Sequence, residues 1–280
     1  MIWFLLCVTS FMCVSSFSIH NKVLTLYKNN NKPKIYPSLN EMFENNPSKL
    51  IISTPGGLFG FYFMGVSSFI KEHYDLSDYV FSGASAGAWN SLFLSLKEND
   101  QLFIDEILKI DIKNIKSIYK LEKQIKSFIL DNYDDTMFDI NRLYLGVTVL
   151  EKSDLKLCVY NDFTSLEDTI DCCIASSHIP FVTGGPFNIY RNKFSFDGGF
   201  YSYPYLNVST PSLIIERDLW DKKDKSEVSD ARVAVINCSF DTLFNLNKVN
   251  FTLSELYERG YNDSKKNKGY LDNIFNATTV

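Results

Sequence analysis

An α/β fold with a parallel layer follows from two observations: the order strand, glycine turn, helix occurs twice in succession, and the chain is long enough for a substantial core. The first unit is Leu50-Ile51-Ile52, an apolar run that ends at Pro55-Gly56-Gly57. A helical pattern follows from about Phe59 to His73, with Phe63, Val66, Phe69 and Ile70 on one face. The second unit is Tyr79-Val80-Phe81, which stops at Gly83-Ala84-Ser85-Ala86-Gly87 before a helix running towards Leu96.

Residues 101–130 read as helix with a possible break. Leu143 to Leu150 and Leu155 to Tyr160 read as strands joined in a hairpin at Lys152-Ser153-Asp154. Thr164 with Glu167, and Thr252 with Glu255, have the spacing of capping boxes, each opening a helix. Between them, Phe194-Ser195-Phe196 leads into Asp197-Gly198-Gly199, and Ala231 to Ile236 reads as a further strand. The charged stretch from Arg217 to Asp230 reads as a surface loop. No repeat or linker divides the chain, so residues 49–280 are expected to form one domain behind a leader (1–18) and a polar lead-in (19–48).

Of the 280 residues, 45% are hydrophobic and 22% charged, which excludes wholesale disorder. A formal net charge of -5 argues against a nucleic-acid partner. The leader is apolar from Ile2 to Val14 and ends in Ser15-Ser16. It is short of the ~20 residues of a membrane span and fits a signal peptide or an N-terminal anchor. Sequons begin at Asn207, Asn237, Asn250, Asn262 and Asn276; in so Asn-rich a chain they permit, without requiring, the location the leader suggests, the secretory pathway, secreted or membrane-associated. Cys158, Cys172, Cys173 and Cys238 follow the leader without a CxxC spacing, which argues against zinc. Adjacent Cys172 and Cys173 read as small buried hydrophobes.

The chemistry centres on Gly83-Ala84-Ser85-Ala86-Gly87. A serine on a tight strand-to-helix turn stands clear of the sheet, and flanking glycines are needed where backbones approach closely. The helix beneath Ser85 adds positive dipole where an oxyanion forms. Without that context, such a turn serves equally well as a phosphate cradle.

The base is less obvious. A Ser, acid, His order would need His178 as the base, with Asp154, Asp162 or Asp168 before it, and none of these acids closes a strand in a glycine-rich turn. His20 lies in the lead-in and His73 on the first helix. His178 fits a structural position at a helix end, or a pocket wall. Asp197 ends an apolar strand, where partial desolvation raises a carboxylate's proton affinity. Taken alone, Asp197-Gly198 is as readily an ordinary turn.

Gly56-Gly57-Leu58-Phe59-Gly60, Gly83-Ala84-Ser85-Ala86-Gly87 and Asp197-Gly198-Gly199, in that order, resemble the patatin-like phospholipase family. The stretch from Thr54 to Tyr62, with Ala175-Ser176-Ser177-His178-Ile179-Pro180, is most similar to its adiponutrin and adipose triglyceride lipase branch. The resemblance covers roughly residues 48–206. It implies a three-layer α/β/α sandwich around a mostly parallel sheet, and a lipid acyl hydrolase of phospholipase A or triacylglycerol lipase type. It also implies a Ser–Asp dyad of Ser85 and Asp197, oxyanion donors at Gly56 and Gly57, motif glycines at Gly60, Gly83, Gly87, Gly198 and Gly199, no cofactor and no metal. Two departures stand out. Pro55, without an N–H, takes the first glycine position of the oxyanion motif, and Tyr201-Ser202-Tyr203-Pro204 replaces the usual Asn-x-Pro. They keep two rivals open, a non-catalytic lipid-binding protein and an acyltransferase on the same fold.

Lys109, Lys113, Lys116, Lys120 and Lys123 recur at alternating spacings of four and three. A single helix would gather them into one stripe suited to an anionic membrane or droplet surface, with isoleucines mostly on the other side. A solvated helix packing its isoleucines on the core is the plainer expectation.

Overall fold

The computed structural model describes residues 34–35, 49–98, 100–115, 117–152, 154–200, 212–220, 246 and 249–275. The leader, most of the lead-in, the segments 201–204 and 231–236, most of the 217–230 loop, Cys238 and the sequons at Asn207, Asn237 and Asn276 lie outside these residues.

Eight strands are described: β1 (Lys34–Ile35), β2 (Lys49–Ser53), β3 (Tyr79–Gly83), β4 (Leu143–Glu151), β5 (Asp154–Tyr160), β6 (Asn188–Tyr190), β7 (Lys193–Phe196) and β8 (Leu213–Ile215). Their order is β1-β5-β4-β3-β2-β8, with β7 on β4 and β6 on β7. The β1–β5, β2–β3, β2–β8 and β3–β4 pairs are parallel; the β4–β5 hairpin, β4–β7 and β6–β7 are antiparallel. Successive residues point to opposite faces. Ile51, Phe81 and Leu145 enter the larger core, and Leu50, Ile52, Val80 and Tyr144 enter a second cluster behind the sheet. Burial on both faces is why β2 reads as a continuous apolar run. The architecture is a three-layer α/β/α sandwich around a mostly parallel sheet.

The described helices are α1 (Gly60–His73), α2 (Ala86–Ser95), α3 (Asp100–Leu108), α4 (Ile112–Ile115), α5 (Ile118–Asn132), α6 (Leu166–Ser176), α7 (Leu253–Lys266) and α8 (Lys268–Phe275). None is long and apolar enough to cross a membrane.

Two sequence expectations change. The break expected in the 101–130 stretch occurs twice, giving three helices, because side chains cap the backbone at both breaks, and this alters the expected lysine stripe. Asp111 Oδ1 accepts the Lys113 N–H at 3.0 Å, and Ser117 Oγ accepts the Lys120 N–H at 3.3 Å. The lysines therefore do not share one helical stripe, while Ile107, Ile115, Ile125 and Ile129 are buried. At α6 the cap is Ser165, which accepts the Asp168 N–H at 3.1 Å, one residue beyond the expected Thr164. Glu167 reaches Lys126 at 3.1 Å instead. The Thr252–Glu255 capping box is present, with bonds of 3.1 and 2.6 Å. Cys158, Cys172 and Cys173 are buried, and Asn250 and Asn262 are exposed.

One edge of β4 determines where the site forms. Its first half pairs with β3, Gly83 lying opposite Leu145; its second half pairs with β7, Phe196 lying opposite Thr148. Because β5 occupies the other edge, β3 and β7 share this one. They run towards each other along it and stop on either side of Gly146. The residues that follow them, Ser85 and Asp197, are brought together by this arrangement.

Helices α1 and α7 touch backbone to backbone. A Cβ on Gly65 would lie 2.0 Å from Tyr257 O, and a Cβ on Gly260 would lie 2.0 Å from Tyr62 O. Gly65→Ala should force the helices apart and lower the unfolding free energy by about 2–3 kcal/mol, read by urea denaturation. A loss below about 0.5 kcal/mol would contradict this close approach.

Candidate active site

Ser85 follows β3 at φ 55° and ψ −127°, immediately before α2. This is a strained conformation for a residue with a side chain, of the kind that lifts a nucleophile off a sheet. The turn closes only because its flanks are glycine. A Cβ on Gly83 would lie 2.1 Å from Gly87 O, and one on Gly87 would lie 2.0 Å from Ser53 O. The Ser85 N–H donates to Ser176 Oγ at 2.8 Å, and the Ser176 hydroxyl donates to Gly146 O at 2.7 Å. Ser176 thus ties the turn to the point of β4 where the two strands meet. In the sequence, Ser176 stands out only as part of the Ala175–Pro180 segment.

Asp197 faces Ser85 from the end of β7. The Ser85 hydroxyl donates to Asp197 Oδ2 at 2.7 Å, and the Gly199 N–H donates to Oδ1 at 2.6 Å. The backbone of Asp197 is fixed too: its N–H donates to His178 O at 2.7 Å, and its carbonyl accepts from Thr148 Oγ1 at 2.9 Å. A Cβ on Gly198 would lie 2.1 Å from Gly146 O, so the turn packs directly on β4. Ser85 is 7% and Asp197 6% exposed. Burial pushes the Asp197 carboxyl up to about 6, and the bonds from Ser85 and Gly199 offset part of that rise.

The first glycine motif abuts both turns. A Cβ on Gly60 would lie 3.1 Å from Ala86 Cβ, and one on Gly199 would lie 2.9 Å from Pro55 Cβ. Gly57, at φ 56°, opens a 3-10 turn, Gly57–Phe59, whose first N–H groups have no partner within the turn. Gly57 lines the cavity in front of Ser85. Gly56 is not among the lining residues, and a Cβ there would lie 2.7 Å from the Phe63 ring.

That cavity, about 120 Å³, has walls drawn from four α-helices, the 57–59 turn and the 177–183 loop: Leu58, Phe61, Met64, Trp89, Phe93, Phe103, Ile107, Ile118, Leu121, Ile125, Ile179 and Val182. The isoleucines opposite the expected lysine stripe are therefore partly cavity wall. One polar exception is Glu122, which is 5% exposed. Burial, with the nearby Asp197 charge adding to it, holds its carboxyl well above the usual range.

Neither described histidine lines the cavity. His73 stacks on Phe69 with ring centroids 4.0 Å apart, and its Nδ1 lies 2.9 Å from Phe69 O. His178 is buried beside Phe196, its proton affinity lowered by burial, and its carbonyl accepts the Asp197 N–H. Asp162 and Asp168 pair with Arg191 at 2.5 and 2.6 Å, and Asp154 opens β5. Among the described residues no group of three or more His, Cys, Asp or Glu is disposed to hold a metal.

The arrangement is chemically competent for proton transfer from Ser85 to Asp197, beside an apolar cavity. It also carries a cost in stability. Above about pH 6 the folded chain holds an ionised Asp197 that the unfolded chain would hydrate freely. The cost is about 2–3 kcal/mol; it is absent below the ordinary carboxylate range, grows as pH rises from there to about 6 and is complete above that. Asn at this position can accept from Gly199 and donate to Ser85. Asp197→Asn should therefore raise the thermal midpoint by several degrees at about pH 8, with no gain at about pH 3. A midpoint that falls at pH ~8 would contradict the burial account.

Residues 56–206, more than half of the chain, match the family described as patatin-like phospholipase. No curated protein matches the chain significantly. Among solved structures, the heterodimeric complex ExoU–SpcU from the type III secretion system of Pseudomonas aeruginosa is similar at 12% identity and a TM-score of 0.37. The match covers 82% of this chain and 52% of that one, so the chain spans about half of its length. With the family matched over residues 56–206, the chain belongs to the patatin-like phospholipases.

Proposed function

We propose that the chain hydrolyses fatty-acyl esters of glycerolipids with a Ser85–Asp197 dyad. The observation that carries this reading is the 2.7 Å hydrogen bond from the Ser85 hydroxyl to a buried carboxylate at the head of an apolar cavity. An acyl chain would occupy the cavity, bringing the ester carbonyl to Ser85. Oγ attacks the carbonyl carbon while its proton passes to Asp197 Oδ2. The tetrahedral oxyanion is held by backbone N–H groups of the Gly56-Gly57 turn, Gly57 being the residue on the cavity, with the N-terminus of α2 behind it. Collapse expels the alcohol, which takes the proton back from Asp197, and leaves Ser85 acylated. Water then gives a proton to Asp197 and attacks the acyl carbonyl. The second collapse frees the fatty acid and returns the proton to Ser85.

Whether the leaving alcohol is a lysophospholipid or a partial glyceride is the finer question. The likeness of Thr54 to Tyr62 and Ala175 to Pro180 to the adiponutrin and adipose triglyceride lipase branch supports the glyceride, and it rests on those segments alone. The apolar leader and the sequons support action in the secretory pathway or at a membrane.

Pure protein mixed with phospholipid and triacylglycerol should release free fatty acid, identified by mass spectrometry, and Ser85→Ala should release none. Acyl groups recovered on an added lysolipid would instead indicate an acyltransferase, and no acyl product at all a lipid-binding protein. With a soluble ester, kcat/KM should rise with pH, reach half its plateau near pH 6 and stay level above it, because Asp197 must be ionised to accept the proton. A profile flat from about pH 5 to 8 would point to a different base.

A further inference from the structure

The hairpin that carries Asp197 into the site also bears an apolar surface for which the reaction has no use. Phe187, Ile189 and Phe194 are 39%, 65% and 43% exposed. Ile189 and Phe194 are cross-strand partners and stand side by side, and the Phe187 ring lies 5.1 Å from that of Phe194. The surface is tied to the cavity at two points. Phe187 also meets Phe196, the residue before Asp197, at 6.5 Å. Phe181, 47% exposed, sits between the cavity residues Ile179 and Val182. It is held at a strained φ of 65° by its N–H bond to Gly185 O. Soluble proteins rarely show so many large apolar side chains together without a partner.

The charges nearby indicate which partner. The cations of the hairpin are neutralised at home, Arg191 by Asp168 at 2.6 Å and Lys193 by Glu151 at 3.6 Å. Across the 179–185 loop stands Tyr119, 43% exposed and 3.7 Å from the Cβ position of Gly184. It is flanked by exposed Lys120 and by Lys123, whose ammonium lies 4.5 Å over its ring. Aromatic rings beside lysines, next to an apolar cavity, match the chemistry of an anionic lipid interface, where rings sit at headgroup depth and lysines meet lipid phosphates.

We infer that Phe181, Phe187, Ile189 and Phe194 are the surface by which this chain sits on an anionic lipid bilayer, with Tyr119, Lys120 and Lys123 at its edge. The inference rests on the lipid-hydrolase reading, and it moves the membrane contact from a lysine stripe to an aromatic hairpin. A substrate chain then passes from the bilayer into the cavity beside it without crossing water.

The test is co-sedimentation with phosphatidylcholine–phosphatidylserine vesicles, together with hydrolysis of a water-soluble short-chain ester. Phe187→Ser with Ile189→Ser and Phe194→Ser should weaken vesicle binding at least about 10-fold and leave the soluble esterase activity within about 2-fold of wild type. The single change Ile189→Ser, at the most exposed position, should weaken binding about 3-fold, so the answer does not depend on the triple variant folding. Ser85→Ala should bind vesicles as wild type does. Undiminished vesicle binding by both serine variants overturns the proposal. So does loss of the soluble activity in the single variant, or conversion of a dimer to a monomer by it, which would make the patch an interface between copies. If wild type binds vesicles but hydrolyses no ester, the docking surface stands and the hydrolase reading fails.

Discussion

A carboxylate kept out of water and within 2.7 Å of a serine hydroxyl is the contact on which the site depends. It exists because β3 and β7 approach each other along one edge of β4 and end on either side of Gly146. Much of the local structure keeps that junction tight. Gly198 packs on the Gly146 carbonyl, Ser176 bonds the same carbonyl while holding the Ser85 N–H, and Thr148 holds the carbonyl of Asp197. A side chain at Gly83, Gly87 or Gly198 would meet backbone at 2.0 to 2.1 Å and push the two groups apart. These glycines are requirements of packing, and they serve the chemistry by bringing Ser85 and Asp197 into contact.

On the proposed mechanism, the cavity lets a single carboxylate take the place of a histidine. An exposed aspartate binds a proton too weakly to receive one from serine near neutral pH; burial brings Asp197 up to about 6. The same burial strains the fold, since an ion in an apolar setting is costly. Glu122 lies in the same cavity, and burial raises its carboxyl as well. Both carboxyls line the cavity that the proposed acyl chain would occupy, which would give proton affinity and substrate affinity a common source.

What was legible in the sequence followed local rules. The strand, glycine turn and helix units appear because β2 and β3 are buried on both faces and the turns after them admit little but glycine. The Asp-Gly-Gly turn was visible as the end of an apolar strand. That β7 pairs antiparallel with the far half of β4 was not, since pairing partners leave no local mark. Ser176 looks like any helix-end serine until Gly146 is beside it. Gly65 and Gly260 register in sequence only as poor helix formers. The lysine stripe misled because a 100° rotation was carried across two breaks capped by Asp111 and Ser117. At α6 two adjacent residues, Thr164 and Ser165, could each have capped the helix, and spacing favoured the wrong one. The catalytic roles of Ser85 and Asp197 remain the proposal that the geometry supports.

Covalent labelling tests that proposal most directly. Treated with a fluorophosphonate, the protein should gain the mass of one phosphonyl group, mapped to the peptide containing Ser85, and Asp197→Asn should label at least about 100-fold more slowly. Labelling of Asp197→Asn at the wild-type rate, or an adduct on any other residue, would contradict the account.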